Sequence, residues 1–289
     1  MNSSQLLGFT TFAYLFASIL YIAIFVFRAE RIGIVASLVT LVSFLAQTTG
    51  IVLRWVESYK MGFGHAPLSN MYESLVFFSW ATAIFYLWLE WRFKNRTIGA
   101  FAVPFAFLSM AYASFGSQID SEIKPLVPAL QSNWLIAHVV TCFIGYAAFA
   151  VAGGMGVMYL LKDRHETNVG GKKGQDSGLL ATLPSLRVID DLIYKCIIFG
   201  FVWLSTGIIT GAIWANKAWG TYWSWDPKET WSLITWFVYA AALHARFVRG
   251  WSGRRIAWLA VIGVFSVVFT YYGVNFLLSG LHSYGRPTE

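Results

Sequence analysis

Charge is what this chain has least of. Its 289 residues include 21 Lys and Arg and 14 Asp and Glu, 12% of the total, where a soluble domain carries about a quarter. Hydrophobic residues make up 57%, and the mean hydropathy is +0.58. The few charges cluster between apolar runs long enough to cross a bilayer and leave the runs nearly uncharged. That segregation excludes a soluble enzyme, a nucleic-acid binder and a disordered scaffold. Cysteine is scarce too: Cys142 and Cys196 both lie inside apolar runs, so no CxxC motif, disulfide framework or cysteine metal site can be built. Any redox chemistry must come from a cofactor or a partner. A phosphate loop is missing, because Gly170-Gly171-Lys172-Lys173-Gly174 lacks the GxxxxGK[ST] spacing. There is no internal repeat and no chain of intramembrane carboxylates, which argues against a transporter or proton pump.

What the chain does have is eight apolar runs, each matched to a hydrocarbon core of roughly 30 Å: residues 6–27, 32–53, 71–91, 97–115, 133–161, 191–213, 228–246 and 255–278. The expected fold is all-α, a single polytopic membrane domain over residues 1–289 surrounded by lipid. The first run is followed, not preceded, by basic residues (Arg28, Arg31), the wrong polarity for a cleaved signal peptide, so it is expected to stay with its N-terminus outside. On that orientation the inner side receives Arg28, Arg31, Arg92, Lys94, Arg96, Lys162, Arg164, Lys172, Lys173, Arg187, Lys195, Arg246, Arg249, Arg254 and Arg255. The outer side receives only Arg54, Lys60, Lys124, Lys217, Lys228 and Arg286. This is a positive-inside bias, so the net charge of +7 reports topology and not a nucleic-acid partner. Residues 162–190 read as a flexible cytoplasmic linker in which His165, among Lys162, Asp163, Arg164 and Glu166, is solvated.

Six of the fourteen tryptophans (Trp214, Trp219, Trp223, Trp225, Trp231, Trp236) fall within residues 214–236, centred on the outer connection between the sixth and seventh runs. An aromatic belt at the membrane interface accounts for isolated rings such as Trp88 and Trp91. The density here fits equally well a platform for a large flat ligand, with Gly220 allowing close backbone approach. Asp226 and Glu229 have two readings: an acid pair, or the N-cap and N3 residues of a capping box with Pro227 at N1, which the spacing favours. Asn70 and Glu73 repeat the capping spacing at the third run.

The run Trp219-Gly220-Thr221-Tyr222-Trp223-Ser224-Trp225-Asp226-Pro227-Lys228-Glu229-Thr230-Trp231, continuing to Leu243-His244-Ala245-Arg246, resembles the WWD signature of the haem-handling proteins of cytochrome c maturation. With Gly64-His65-Ala66-Pro67-Leu68-Ser69-Asn70-Met71-Tyr72-Glu73-Ser74, the His138 segment and Gly280-Leu281-His282-Ser283-Tyr284, the chain is most similar to the CcsA-type (ResC-type) subunit of the system II cytochrome c synthetase. Pro227-Lys228-Glu229-Thr230 after the aspartate favours that type over its sister haem-handling proteins. The resemblance implies haem b as cofactor, a CcsB-type membrane partner, thiol-reducing proteins and apocytochrome c as further partners, and a plasma or thylakoid membrane with the haem site facing periplasm or lumen. It also implies membership of a holocytochrome c synthase (haem lyase) complex and a haem-binding set of Trp219, Gly220, Tyr222, Trp223, Trp225 and Asp226.

Iron needs axial ligands, and histidine is the usual supplier. His138 lies five residues into the fifth run and His282 four residues past the eighth, so both sit at the level of the tryptophans. The resemblance makes them the ligands of an external haem. His244 lies 18 residues after Asp226, about 27 Å along a helix, near the inner side. There it either snorkels beside Arg246 or, as the resemblance implies, ligates a transmembrane haem together with a histidine of the partner. His65 matches no ligand of the family and reads as a loop residue. The reaction so implied adds the two thiols of a CxxCH segment across the haem vinyl groups, by positioning and without a catalytic proton-transfer residue. Passage of haem from His244 to the outer platform would make the chain an export route as well. A dihaem b-type electron-transfer subunit is the alternative, but it needs two ligands at each depth, and the inner level offers one.

Overall fold

A computed structural model describes residues 2–27, 30–168, 179–278 and 280. Among them are eight long helices: α1 Ser3–Phe27, α2 Glu30–Lys60, α3 Met71–Phe93, α4 Gly99–Phe115, α5 Asn133–Asn168, α6 Leu186–Trp219, α7 Pro227–Arg249 and α8 Arg254–Leu277. Each expected apolar run falls on one of them, and no strand occurs among the described residues. Six helices are long and apolar enough to cross a membrane. The other two are α4, an apolar helix of 17 residues, and α7, which carries Lys228, Glu229, His244, Arg246 and Arg249. The linker region is more ordered at its ends than its composition suggests: α5 runs on to Asn168, taking His165 with it, and α6 begins at Leu186.

The helices form two groups. Helices α1 to α4 pack among themselves, α6 to α8 among themselves, and α5 lies against α3, α4, α6 and α8. The α5 sequence explains its central place. With no hydrophobic force between helices in lipid, small residues are what allow close packing, and α5 supplies Gly145, Gly153, Gly154 and Gly156. A Cβ at Gly154 would meet the Phe101 carbonyl of α4 at 2.2 Å, and one at Gly145 the Gly200 carbonyl of α6 at 3.0 Å.

Alternating chain direction brings the 61–70, 116–132 and 220–226 connections to one end of the bundle, called here the tryptophan end. Side-chain bonds fix this end, His65 and Arg54 reaching the Lys124 and Glu122 carbonyls of the 116–132 connection. Arg54 and Glu73 make a buried ion pair at 2.7 Å, and Asn70 caps α3 by accepting from the Glu73 amide at 2.9 Å. Breaking one partner of such a buried pair costs about 3–5 kcal/mol, so α2 and α3 are firmly coupled here. At the opposite end, Asp190 of α6 accepts from Arg246 of α7 and from the Gly253 amide, both at 2.7 Å.

Candidate functional site

Between α5, α6, α7 and α8 at the tryptophan end lies a cleft of about 1280 Å³ including its open mouth. Its walls derive from two helical stripes that meet face to face. On α5, His138, Cys142 and Tyr146 recur every four residues and share a face; on α6, Gly207, Gly211 and Trp214, at spacings of four and three, share the facing one. The glycines leave room for the imidazole. A Cβ on Gly211 would lie 2.6 Å from His138 Nδ1, and one on Gly207 2.5 Å from Cys142 Sγ.

His138 is held on two sides. Nδ1 lies 2.8 Å from the Gly207 carbonyl; a carbonyl only accepts, so Nδ1 carries a proton, and in the neutral ring Nε2 is the acceptor nitrogen. Trp214 stacks on the ring with centroids 5.8 Å apart and planes 15° apart. Trp214 is in turn fixed by donating from Nε1 to the Ala129 carbonyl at 2.9 Å and by an edge contact with Trp219 at 4.9 Å. An imidazole whose second nitrogen donates to a backbone carbonyl is the usual arrangement of a metal-binding histidine.

The tryptophan segment divides. Trp214 and Trp219 belong to α6 itself, which extends past its expected end until Gly220, at φ +80°, closes it with its amide on the Asn216 carbonyl. The true loop is therefore only residues 220–226. Trp219, Tyr222 and Trp223 line the cleft with His138. Trp225 does not: it stands exposed in a left-handed conformation (φ 60°), its ring edge-on to Trp223. Asp226 is buried as the N-cap of α7, accepting from the Lys228 amide at 3.0 Å, while Glu229 closes a capping box on the Asp226 amide at 3.2 Å. Gly280 packs on this cap so closely that a Cβ would meet the Asp226 carboxylate at 2.3 Å. His282 lies outside the described residues. His244 is exposed on α7, far from the cleft, on a face shared with exposed Phe237, Phe247 and Val248.

Several lining residues were not singled out from sequence: Cys142, Gly211, Lys228, and Thr270 and Tyr271 at the cleft floor. The last two sit in a π-helical turn, Phe269–Gly273, inside α8, a local widening often found at functional sites. The i, i+4 pairing of His138 with Cys142, opposite Gly207 and Gly211, was the available signal.

The cleft suits haem chemically. It offers one imidazole, three tryptophan rings and a largely apolar lining that also includes Lys228 and Glu229. The family described as "Cytochrome C assembly protein" matches residues 68–282. Cytochrome c biogenesis protein CcsA of Prochlorococcus marinus (strain MIT 9303) is 42% identical, covering 96% of this chain and 92% of that one. Its counterpart in Parasynechococcus marenigrum (strain WH8102) is 43% identical, covering 96% and 95%. Among solved structures, cytochrome c haem lyase CcmF shares the fold with a TM-score of 0.68 over 97% of this chain, at 15% sequence identity. The chain spans about half that lyase, 48% of its length.

Proposed function

This chain belongs to the cytochrome c assembly family and is an integral membrane protein of cytochrome c maturation, and we propose that it acts by holding haem b in the α5–α8 cleft and presenting it to apocytochrome c. The observation that carries the reading is His138 itself. Its imidazole is tied by Nδ1 to α6, stacked on Trp214, and faces a cleft walled by Trp219 and Trp223.

Haem supplies two vinyl groups, to which the thiols of a CxxCH segment add. Everything else falls to the protein. His138, through Nε2, and His282 would hold the haem iron. The tryptophan rings fix the plane of the macrocycle by stacking, which buries large area at small entropic cost. The apolar lining keeps water from the iron and favours its reduced state. Tight placement of the reacting edge supplies the rate advantage, which well-oriented reactions derive from prepaid entropy. The histidine of the incoming CxxCH segment would take the place of His138 or His282 as the product leaves. Trp225 and Asp226 support this arrangement from outside the lining, Trp225 at the mouth and Asp226 by fixing the start of α7.

In the same proposal the tryptophan end faces periplasm or lumen, a reading that the positive-inside count supports. His244, a polar group on an otherwise apolar exposed face, ligates a second haem with a histidine of a CcsB-type partner of the system II synthetase, and thiol-reducing proteins keep the CxxCH cysteines reduced. The test is the reduced haem spectrum of the purified chain beside His138→Ala and His282→Ala. Wild type should carry a six-coordinate, low-spin haem; both variants should lose it and lose holocytochrome c formation, with exogenous imidazole restoring part of each. Unchanged spectra in both variants would refute the assignment.

A further inference from the structure

The Gly64–Ser69 loop, prominent in sequence, takes no part in the cleft lining, and His65 within it is buried. Its imidazole sits between two carbonyls: Nδ1 lies 3.0 Å from that of Ala66 and Nε2 2.9 Å from that of Lys124; a neutral ring has one N–H to donate, and on Nε2 it ties His65 to Lys124. Lys124 belongs to the 116–132 connection, whose later residues Val127, Ala129 and Leu130 form one lip of the cleft. The same connection is tethered two residues earlier, where Arg54 Nη2 donates to the Glu122 carbonyl at 3.4 Å. Arg54 is anchored by its buried ion pair with Glu73.

The sequence between tether and lip is Lys124-Pro125-Leu126-Val127-Pro128-Ala129. Two prolines lock φ at their own positions and push the residues before them into extended conformations, and Val127 is extended (φ −64°, ψ 149°). Such a segment behaves as a stiff strap. Fixing the Lys124 carbonyl therefore fixes where Ala129 presents its own carbonyl to Trp214 Nε1, and Trp214 is the ring that stacks on His138.

We propose that His65 is a positioning residue of the ligand cleft: by holding the Lys124 carbonyl it sets, through the Pro125–Pro128 strap, the lip that seats Trp214 against His138. The strap and lip stand on geometry alone; the consequence for bound haem rests on the proposed function.

Cys142 lines the cleft and Cys196 is buried elsewhere on α6, so the two native thiols report cleft opening and general unfolding separately. The experiment measures alkylation of each by N-ethylmaleimide, by mass spectrometry, in the detergent-purified full chain, together with the rate of haem loss to apomyoglobin. In His65→Leu, Cys142 should react roughly three- to tenfold faster, the scale set by one lost hydrogen bond, with Cys196 unchanged and haem loss accelerated in step. His65→Gln, whose amide can still donate to Lys124, should stay near wild type. Pro125→Ala leaves His65 intact but softens the strap, and should reproduce the leucine phenotype; it decides the matter if His65→Leu exposes both cysteines by unfolding. A wild-type Cys142 rate in Pro125→Ala or in a folded His65→Leu, or a glutamine variant as open as leucine, overturns the proposal. A wild-type preparation that binds no haem while the Cys142 rates follow the expected order refutes the haem reading and leaves the strap standing.

Discussion

Replacing Gly211 with alanine puts a methyl group where the His138 ring now lies, 2.6 Å from Nδ1 and 2.7 Å from Cε1. Ordinary contact begins near 3.4 Å, so either the ring retreats by about 0.8 Å or α5 and α6 separate. The ring has little room to retreat, since Trp214 stacks on it and Nδ1 is bonded to Gly207 at 2.8 Å. A shift of that size along the bond carries it beyond the 3.2 Å limit of an ordinary N–H···O hydrogen bond. Overpacking of this kind costs about 1–3 kcal/mol. Loss of the bond that orients a metal-binding histidine typically lowers metal affinity about 10–100-fold. The expected phenotype is therefore a folded protein with weakened haem. Haem content and reduced spectrum are measured on purified Gly211→Ala, with and without imidazole, beside Gly8→Ala, where an added Cβ meets nothing within 4 Å. Both variants should give wild-type yields and helical content, and only Gly211→Ala should lose haem and recover it with imidazole. A Gly211→Ala protein with wild-type haem content and an unaltered spectrum would show that the position of His138 against α6 is irrelevant to binding.

Four further outcomes follow from the same geometry. A cysteine at Ser224, which is exposed in the loop, should react with impermeant maleimide only from the periplasmic or lumenal side; labelling from the cytoplasm alone would invert the topology. Asp226→Ala should lower thermal stability by about 1–2 kcal/mol through loss of the α7 cap, whereas Asp226→Asn, still an acceptor for the Lys228 amide, should lose a few tenths; equal losses would show that charge, not capping, matters. Gly220→Asn should be tolerated better than Gly220→Val, because φ is +80° at that position and only a short polar side chain adopts it readily; similar haem content and yield in both would contradict this. His244→Gln should reduce haem only in preparations containing the membrane partner, and equal haem content with and without it would return His244 to a snorkelling role.

The helices were legible because hydrophobic run length is a local property, and each of the eight runs lies on its own helix. Their ends were less so. Helix α6 passes through Trp214 to Trp219, since nothing before Gly220 stops it: Asn216-Lys217-Ala218 are neutral to good helix formers and the Gly220 amide closes the last turn. The 214–236 segment therefore spans three elements: the end of α6 with Trp214 and Trp219, the seven-residue turn 220–226, and the start of α7 with Trp231 and Trp236. The caps at Asn70 and Asp226, which depend on spacing within one turn, were visible. The Arg54–Glu73 pair was not, because its partners stand on separate helices.

The site shows the same divide between local and non-local information. His138 was visible as a histidine at the right depth, but a histidine at that depth is equally an interhelical hydrogen bonder, and in the structure it is one, bonded to Gly207. That bond and a ligand role use different nitrogens. A proton on Nδ1 that joins α5 to α6 leaves Nε2 of the neutral ring for the proposed ligand role, so the two readings of this residue, alternatives in the sequence, are compatible in one ring. Gly211 completes the argument. It lies 73 positions from His138 in the chain, and its meaning is carried by the methyl group it omits. Only the helix pairing, set by small residues such as Gly145, Gly200 and Gly207 beside the cleft, brings that omission opposite the imidazole. The glycines that let these helices approach are therefore as much a part of the proposed haem site as the tryptophans that line the cleft.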